Sequence, residues 1–155
     1  MVGALDVREV YAARRRIAGV AVRSPLVPSP SLTARAGAEV LLKLETVQPT
    51  GAFKLRGAAN AVARLAPEAR AAGVACCSTG NHGRAVAFAA ARAGVRAVVC
   101  LSSLVPDVKV RAIEAAGAEV RRVGRSQDDA QVEVDRLVAE EGMTDIPPFD
   151  HPDVL

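Results

Sequence analysis

Residues 74–101 read VACCSTGNHGRAVAFAAARAGVRAVVCL. A short apolar run, Val74–Cys77, breaks into a loop of hydroxyl, amide, imidazole and glycine groups. An alanine-rich segment extends from Asn81 to Ala93 and stops at Gly94. A second apolar run, Val95–Leu101, comes next. Short apolar runs bounded by turn residues predict buried strands, and the alanine-rich segment between them predicts a helix. The rhythm continues outward. Pro106–Ala116 predicts a helix with proline in its first turn and Gly117 at its end. Ala118–Val123 predicts a strand, Ser126 caps a helix running through Glu141 to Gly142, and Ile146–Phe149 opens a fourth strand. Strand and helix alternating in this way predict an α/β fold: an open parallel sheet with helices on both faces and right-handed crossovers.

Before Pro67 the pattern is less regular. Residues 6–18 predict a helix with Asp6 as N-cap and Gly19 as stop. Pro25, Pro28, Pro30 and Pro49 punctuate the next thirty residues or so. Glu39–Leu44 alternates loosely and predicts a strand. The turn Gln48-Pro49-Thr50-Gly51 then delivers the chain into a helix from Phe53 to Leu65.

Composition narrows the function classes. The chain has 155 residues, half of them hydrophobic, with three Phe, one Tyr and no Trp. That is enough for one domain with a core built mainly from Ala, Val and Leu. No run approaches the roughly 18 apolar residues of a membrane helix. The start, MVGALDVREVYAARRR, carries acids early and lacks the apolar stretch of a secretory signal, so a soluble cytoplasmic protein is expected. The net charge of +3 is slight. Arg14-Arg15-Arg16 is read as a solvated helix face, with no basic patch or interleaved aromatics for nucleic acid. Cys76, Cys77 and Cys100 include no CxxC pair. Adjacent on a strand, Cys76 and Cys77 point to opposite faces. All three read as buried thiols of a reducing compartment.

Two features carry chemistry. The first is the loop Ser78-Thr79-Gly80-Asn81-His82-Gly83, beyond the carboxyl end of a parallel strand, where ligands bind in such sheets. Its glycines permit close backbone approach, and the helix behind it offers free N–H groups to an anion. It is neither GxGxxG nor a Walker loop, so nothing points to a nucleotide. A simple helix cap built by Ser78 and Thr79 accounts for the same residues. The second feature is Lys54, one of three lysines. Lys43 alternates with leucines on a strand, and Lys109 sits on a surface helix. Lys54 stands in a first helical turn between Phe53 and Leu55. The helix dipole and flanking apolar groups disfavour its cation and favour a free amine, which can condense with an aldehyde.

Taken together, GAFKLRGA (51–58) and STGNHG (78–83) resemble the fold-type II pyridoxal-phosphate enzymes, and more narrowly the serine/threonine dehydratases, which include serine racemases. The match runs through VPDVKVRAIEAAGAEV (105–120) to FDHPDVL (149–155) and covers nearly the whole chain from about Val7. YAARRRIAG, STGNHGRAVA and VGRSQDDAQ are most similar to hydroxyectoine-utilization dehydratases. The resemblance implies that Lys54 forms a Schiff base with pyridoxal 5'-phosphate, Phe53 packs beside its ring, and Asn81 bonds its 3-hydroxyl. Ser78, Thr79, Gly80 and the backbone N–H groups of Asn81 and His82 would hold the substrate carboxylate. Thr79 keeps the hydroxyl that serine racemases use on the second face, so dehydratase and racemase both stay open. The implied reaction is β-elimination from a small hydroxy-amino acid, with Lys54 removing the α-proton.

The resemblance also implies parts that are missing. Relatives are longer, and their glycine-rich phosphate loop and the residue facing the pyridine nitrogen lie beyond FDHPDVL. No GGGG run occurs here. The chain therefore reads as an N-terminal half. Residues 1–50 would be an incomplete part of the large domain, 51–150 the small α/β domain, and 151–155 the return toward the large one. Leu26, Val40 and Leu42 would be left exposed, inviting self-association or completion by a second polypeptide. Little activity is expected of these residues alone, and a non-catalytic module that binds a partner chain or an amino acid is the competing reading.

Overall fold

The computed structural model describes residues 6–154. Four parallel strands form its central sheet: β3 (Val74–Cys77), β4 (Ala97–Leu101), β5 (Glu119–Arg122) and β6 (Thr144–Asp145), in the order β5-β4-β3-β6. Side chains of a strand alternate between faces, and the two faces are closed separately. On one side Val74, Cys76, Val99 and Leu101 join α3 (Lys54–Ala63), α5 (Asn81–Ala93) and α6 (Asp107–Glu114) in one core. On the other, Ala75, Cys77, Val98 and Cys100 pack on α7 (Gln127–Glu141) through Ala130, Val134 and Leu137. Cys76 and Cys77 thus fall on opposite faces, and all three thiols are free and buried. The architecture is the expected α/β sheet covered on both sides.

Helices α3 and α5 meet through small residues. Ala58, Ala59 and Val62 of one and Ala85, Val86 and Ala89 of the other are all buried in the same core. Alanines let the two backbones approach closely, and the first turns of both helices lie at one end of the sheet, where Lys54 bonds Pro148 O and His82 bonds Ile146 O just past β6. Leu55 is fully buried at this contact, worth about 1.5–3 kcal/mol.

Several boundaries differ from the expectations. The fourth strand is Thr144–Asp145, not Ile146–Phe149. The Ile146 N–H still donates to Ala75 O at 2.9 Å, but Pro147 and Pro148 have no N–H with which to continue the ladder. The first helix, α1 (Val7–Arg16), is capped by Asp6 as expected but ends at Ile17 rather than Gly19, because Ile17 turns into the core. Pro106 is the N-cap of α6 rather than its first-turn residue. Besides a single 3-10 turn at Glu45–Val47, three elements have no counterpart in the sequence reading: β1 (Leu26–Pro28), α2 (Pro30–Ala36) and α4 (Pro67–Ala72). Both of these helices begin on a proline, which fits a first helical turn because its missing N–H would have no partner there. β1 pairs antiparallel with β2 (Leu41–Lys43) in a separate two-stranded sheet. Leu26 and Leu42 are exposed there and Val40 is half-buried. Among the described residues no helix is long and apolar enough to cross a membrane.

Candidate active site

Lys54 is delivered by a turn that is tied down on both sides. Gln48 is buried, and its side-chain amide bonds Val22 twice: Val22 N–H donates to Oε1 at 3.0 Å, and Nε2 donates to Val22 O at 2.8 Å. Arg84, from α5, donates to Thr50 O at 2.7 Å. Arg56 grips Glu45 through two bonds, Nε to Oε2 at 2.9 Å and Nη2 to Oε1 at 2.8 Å, and Ser24 adds a short third bond to the same carboxylate. The Arg56 bonds hold the Glu45 carboxyl down at about 2. The helix that starts next is therefore fixed in place before its first side chain is reached.

That side chain is half-buried. Its Nζ donates to Pro148 O at 2.6 Å and stands over the Phe149 ring, 4.9 Å from the centroid, with the Phe53 ring at 5.6 Å. Among the described residues no carboxylate pairs with it. The sequence reading had Phe53 and Leu55 desolvating the amine. Leu55 points wholly into the core, whereas Phe53 is 60% exposed and flanks the amine without burying it. Lys54 lies on the rim of a cleft of about 580 Å³ whose walls include Val10, Ile17, Phe53, Pro148 and Val154. An amine held by a carbonyl and two π faces, beside a largely apolar cleft, fits a flat ring that bears an aldehyde.

The other candidates lie at the start of α5. Ser78 is buried, and its hydroxyl accepts from Gly80 N–H at 3.3 Å and Gly83 N–H at 3.0 Å. It serves as the local cap, and the ligand reading and the cap reading meet in this residue. Thr79, Gly80 and exposed Asn81 line a second cleft of about 390 Å³ with Arg84, Lys109 and Ile113. The structure thus gathers Lys54 and Phe53 in one cleft and Thr79, Gly80 and Asn81 in another. His82 is 3% exposed, and its Nε2 lies 2.8 Å from Ile146 O. A carbonyl only accepts, so Nε2 carries the proton and buried Nδ1 is left without a partner. Burial pushes the His82 imidazole below its ordinary value, the Ile146 bond works against this, and the field of Lys54 adds to the lowering.

The sequence reading missed Pro148, Phe149 and Asn60. Asn60, buried in α3, accepts from Arg16 Nε at 2.7 Å and donates to Asp153 O at 2.8 Å. Arg64 pairs with Asp153 at 2.7 Å. Together they tie Asp153 to α3. A lone asparagine in an alanine run was the available signal.

The chain is similar to several known enzymes. A Sinorhizobium fredii protein assigned provisionally as a threonine dehydratase is 56% identical over 151 residues, which is 97% of this chain and 46% of that protein. The L-threo-3-hydroxyaspartate ammonia-lyase of Saccharomyces cerevisiae is 40% identical over 147 residues, 95% of this chain and 45% of that one. The crystal structure of serine racemase from Dictyostelium discoideum superposes with a TM-score of 0.90 at 31% identity, covering 97% of this chain and 49% of that chain. The chain thus spans about half the length of these relatives. A sequence profile described as "Pyridoxal-phosphate dependent enzyme" matches residues 17–155, and the protein belongs to that family.

Proposed function

We propose that the chain carries the lysine-bearing part of a pyridoxal-phosphate-dependent lyase that dehydrates and deaminates a small hydroxy-amino acid. The observation that carries this reading is the setting of Lys54: an amine with no carboxylate partner among the described residues, held beside a largely apolar cleft by Pro148 O and two aromatic rings. Pyridoxal phosphate, when bound, supplies an aldehyde for an amine and a ring that spreads the negative charge of a deprotonated α-carbon. Lys54 is the residue that would hold it, with Phe53 against the ring and Asn81 at its hydroxyl. Thr79, Gly80 and the N–H groups of Asn81 and His82 would receive the substrate carboxylate at the positive end of α5. Once the substrate amine takes its place, the freed Lys54 amine would remove the α-proton; the β-hydroxyl would take up a proton and leave as water, and hydrolysis of the released enamine by a second water would give the 2-oxo acid and ammonia. Residues 51–150 would form the small domain of the complete enzyme, with residues 1–50 and 151–155 belonging to the large one. Serine, threonine and hydroxyectoine-derived amino acids are the substrates to try, and three reduced thiols fit a cytoplasmic setting.

A racemase is the second reading. Thr79 supports it, because it carries a hydroxyl at the start of α5 and is only half-buried. Incubation with pyridoxal phosphate and L-serine or L-threonine in deuterated water separates the two outcomes. Release of 2-oxo acid marks elimination, and deuterium in recovered D-amino acid marks racemisation. Where either signal appears, Lys54→Ala abolishes it and Lys43→Ala leaves it. Equal loss in both variants would remove Lys54 from its assigned role.

A further inference from the structure

The chain leaves β6 through Ile146-Pro147-Pro148. Its last rung is the Ile146 N–H to Ala75 O, at 2.9 Å. The two prolines cannot donate, so the sheet does not fix the chain beyond Ile146. Two carbonyls do so instead. Ile146 O accepts the Nε2–H of His82 at 2.8 Å, and Pro148 O accepts Lys54 Nζ at 2.6 Å. Among the described residues these are the only side-chain hydrogen bonds to residues 146–148. His82 comes from the first turn of α5 and Lys54 from the first turn of α3. The carbonyl that receives the lysine is therefore two residues beyond the one that the histidine anchors.

We infer that His82 is a positioning residue for Lys54: its imidazole fixes Ile146 and thereby seats the Pro148 carbonyl that holds the Lys54 amine whenever that amine is not engaged elsewhere. The seat consists of a carbonyl dipole and the Phe149 ring, both attractive to a cation and neither charged. The amine can leave it without breaking an ion pair and can return to one fixed place. The buried imidazole has no second partner at Nδ1, so its orientation rests on the Ile146 bond. The functional meaning of the seat rests on the proposed role of Lys54, but the seat itself does not.

Side-chain isosteres test it. In His82→Asn the amide nitrogen stands where Nδ1 was and leaves Ile146 O unpaired. In His82→Gln it reaches the position of Nε2 and keeps the bond. Each chain is treated with limiting acetic anhydride, and acetylation of Lys54 is mapped relative to exposed Lys109. The unsubstituted chain protects Lys54. His82→Asn raises its relative rate about fivefold to tenfold, the size expected for losing one buried hydrogen bond, and His82→Gln restores protection. An unmoved rate in the asparagine variant, a rise in the glutamine variant, or an equal rise at Lys43 overturns the inference. A measurement on the unsubstituted chain is independent of how the variants fold: nitrogen-15 NMR of His82 finds the proton on Nε2, and a proton on Nδ1 instead contradicts the anchor. If pyridoxal phosphate fails to label Lys54, the proposed function falls, while the acetylation comparison still judges the seat.

Discussion

At the scale of single residues, backbone proximity decides more than side-chain identity. Gly57 sits mid-helix, where alanine is normally the better residue by about 1 kcal/mol. A Cβ there would stand 2.9 Å from Val154 Cα and closer still to its carbonyl oxygen. The steric term wins, so Gly57→Ala destabilises the fold by about 1–3 kcal/mol, read as a lower thermal midpoint. A higher midpoint would show that residues 151–154 do not rest on α3. His82 sets a pH dependence. Its folded-state value lies below the ordinary 6.5, so the unfolded chain binds the proton first. Stability is full above about 6.5 and falls as the pH drops through the lowered value, as urea titrations across that range would record. Lys54 was legible in the sequence because it is the first residue of its helix, between Phe53 and Leu55, and falls within GAFKLRGA. Its seat was not legible, because Pro148 lies 94 positions away and acts through a backbone carbonyl.

At the scale of elements, the regular middle of the chain was readable and its edges were not. VACC, AVVCL and the alanine-rich α5 declare themselves by apolar run length and glycine stops. α2 and α4 are hidden because proline reads as punctuation, although at a first helical turn it is a starter, and β1 is hidden because it is only three residues long and contains Pro28. β6 was displaced for a related reason: apolar Ile146 drew the strand forward, while the prolines end it. β6 also carries Asp145, whose Oδ1 is buried without a partner and whose Oδ2 is 3.5 Å from Gln131. Burial raises its carboxyl above the ordinary value, so the ionised group weakens the fold at neutral pH. Asp145→Asn removes that charge and raises the thermal midpoint at pH 7 by about 2–4 °C, near 1 kcal/mol. A lower midpoint would mean that the carboxylate has a favourable partner.

At the scale of the whole molecule, the sheet and its two helical layers place the first turns of α3 and α5 at one end, and the 146–154 segment ties them together. That convergence brings Lys54 and His82 onto one short segment, through Pro148 O and Ile146 O, while Thr79, Gly80 and Asn81 line a separate cleft. Leu26 and Leu42 of the two-stranded sheet are exposed, and the chain spans about half the length of the relatives it matches. Under the proposed function, capture of an aldehyde cofactor by the Lys54 amine is the decisive property. Its most direct measurement is to mix the purified chain with pyridoxal phosphate, reduce with borohydride and map the modified lysine by mass spectrometry. Label concentrated on Lys54, with little on Lys43 and Lys109, is the predicted result. Label spread evenly over the three lysines, or none at all, would contradict it.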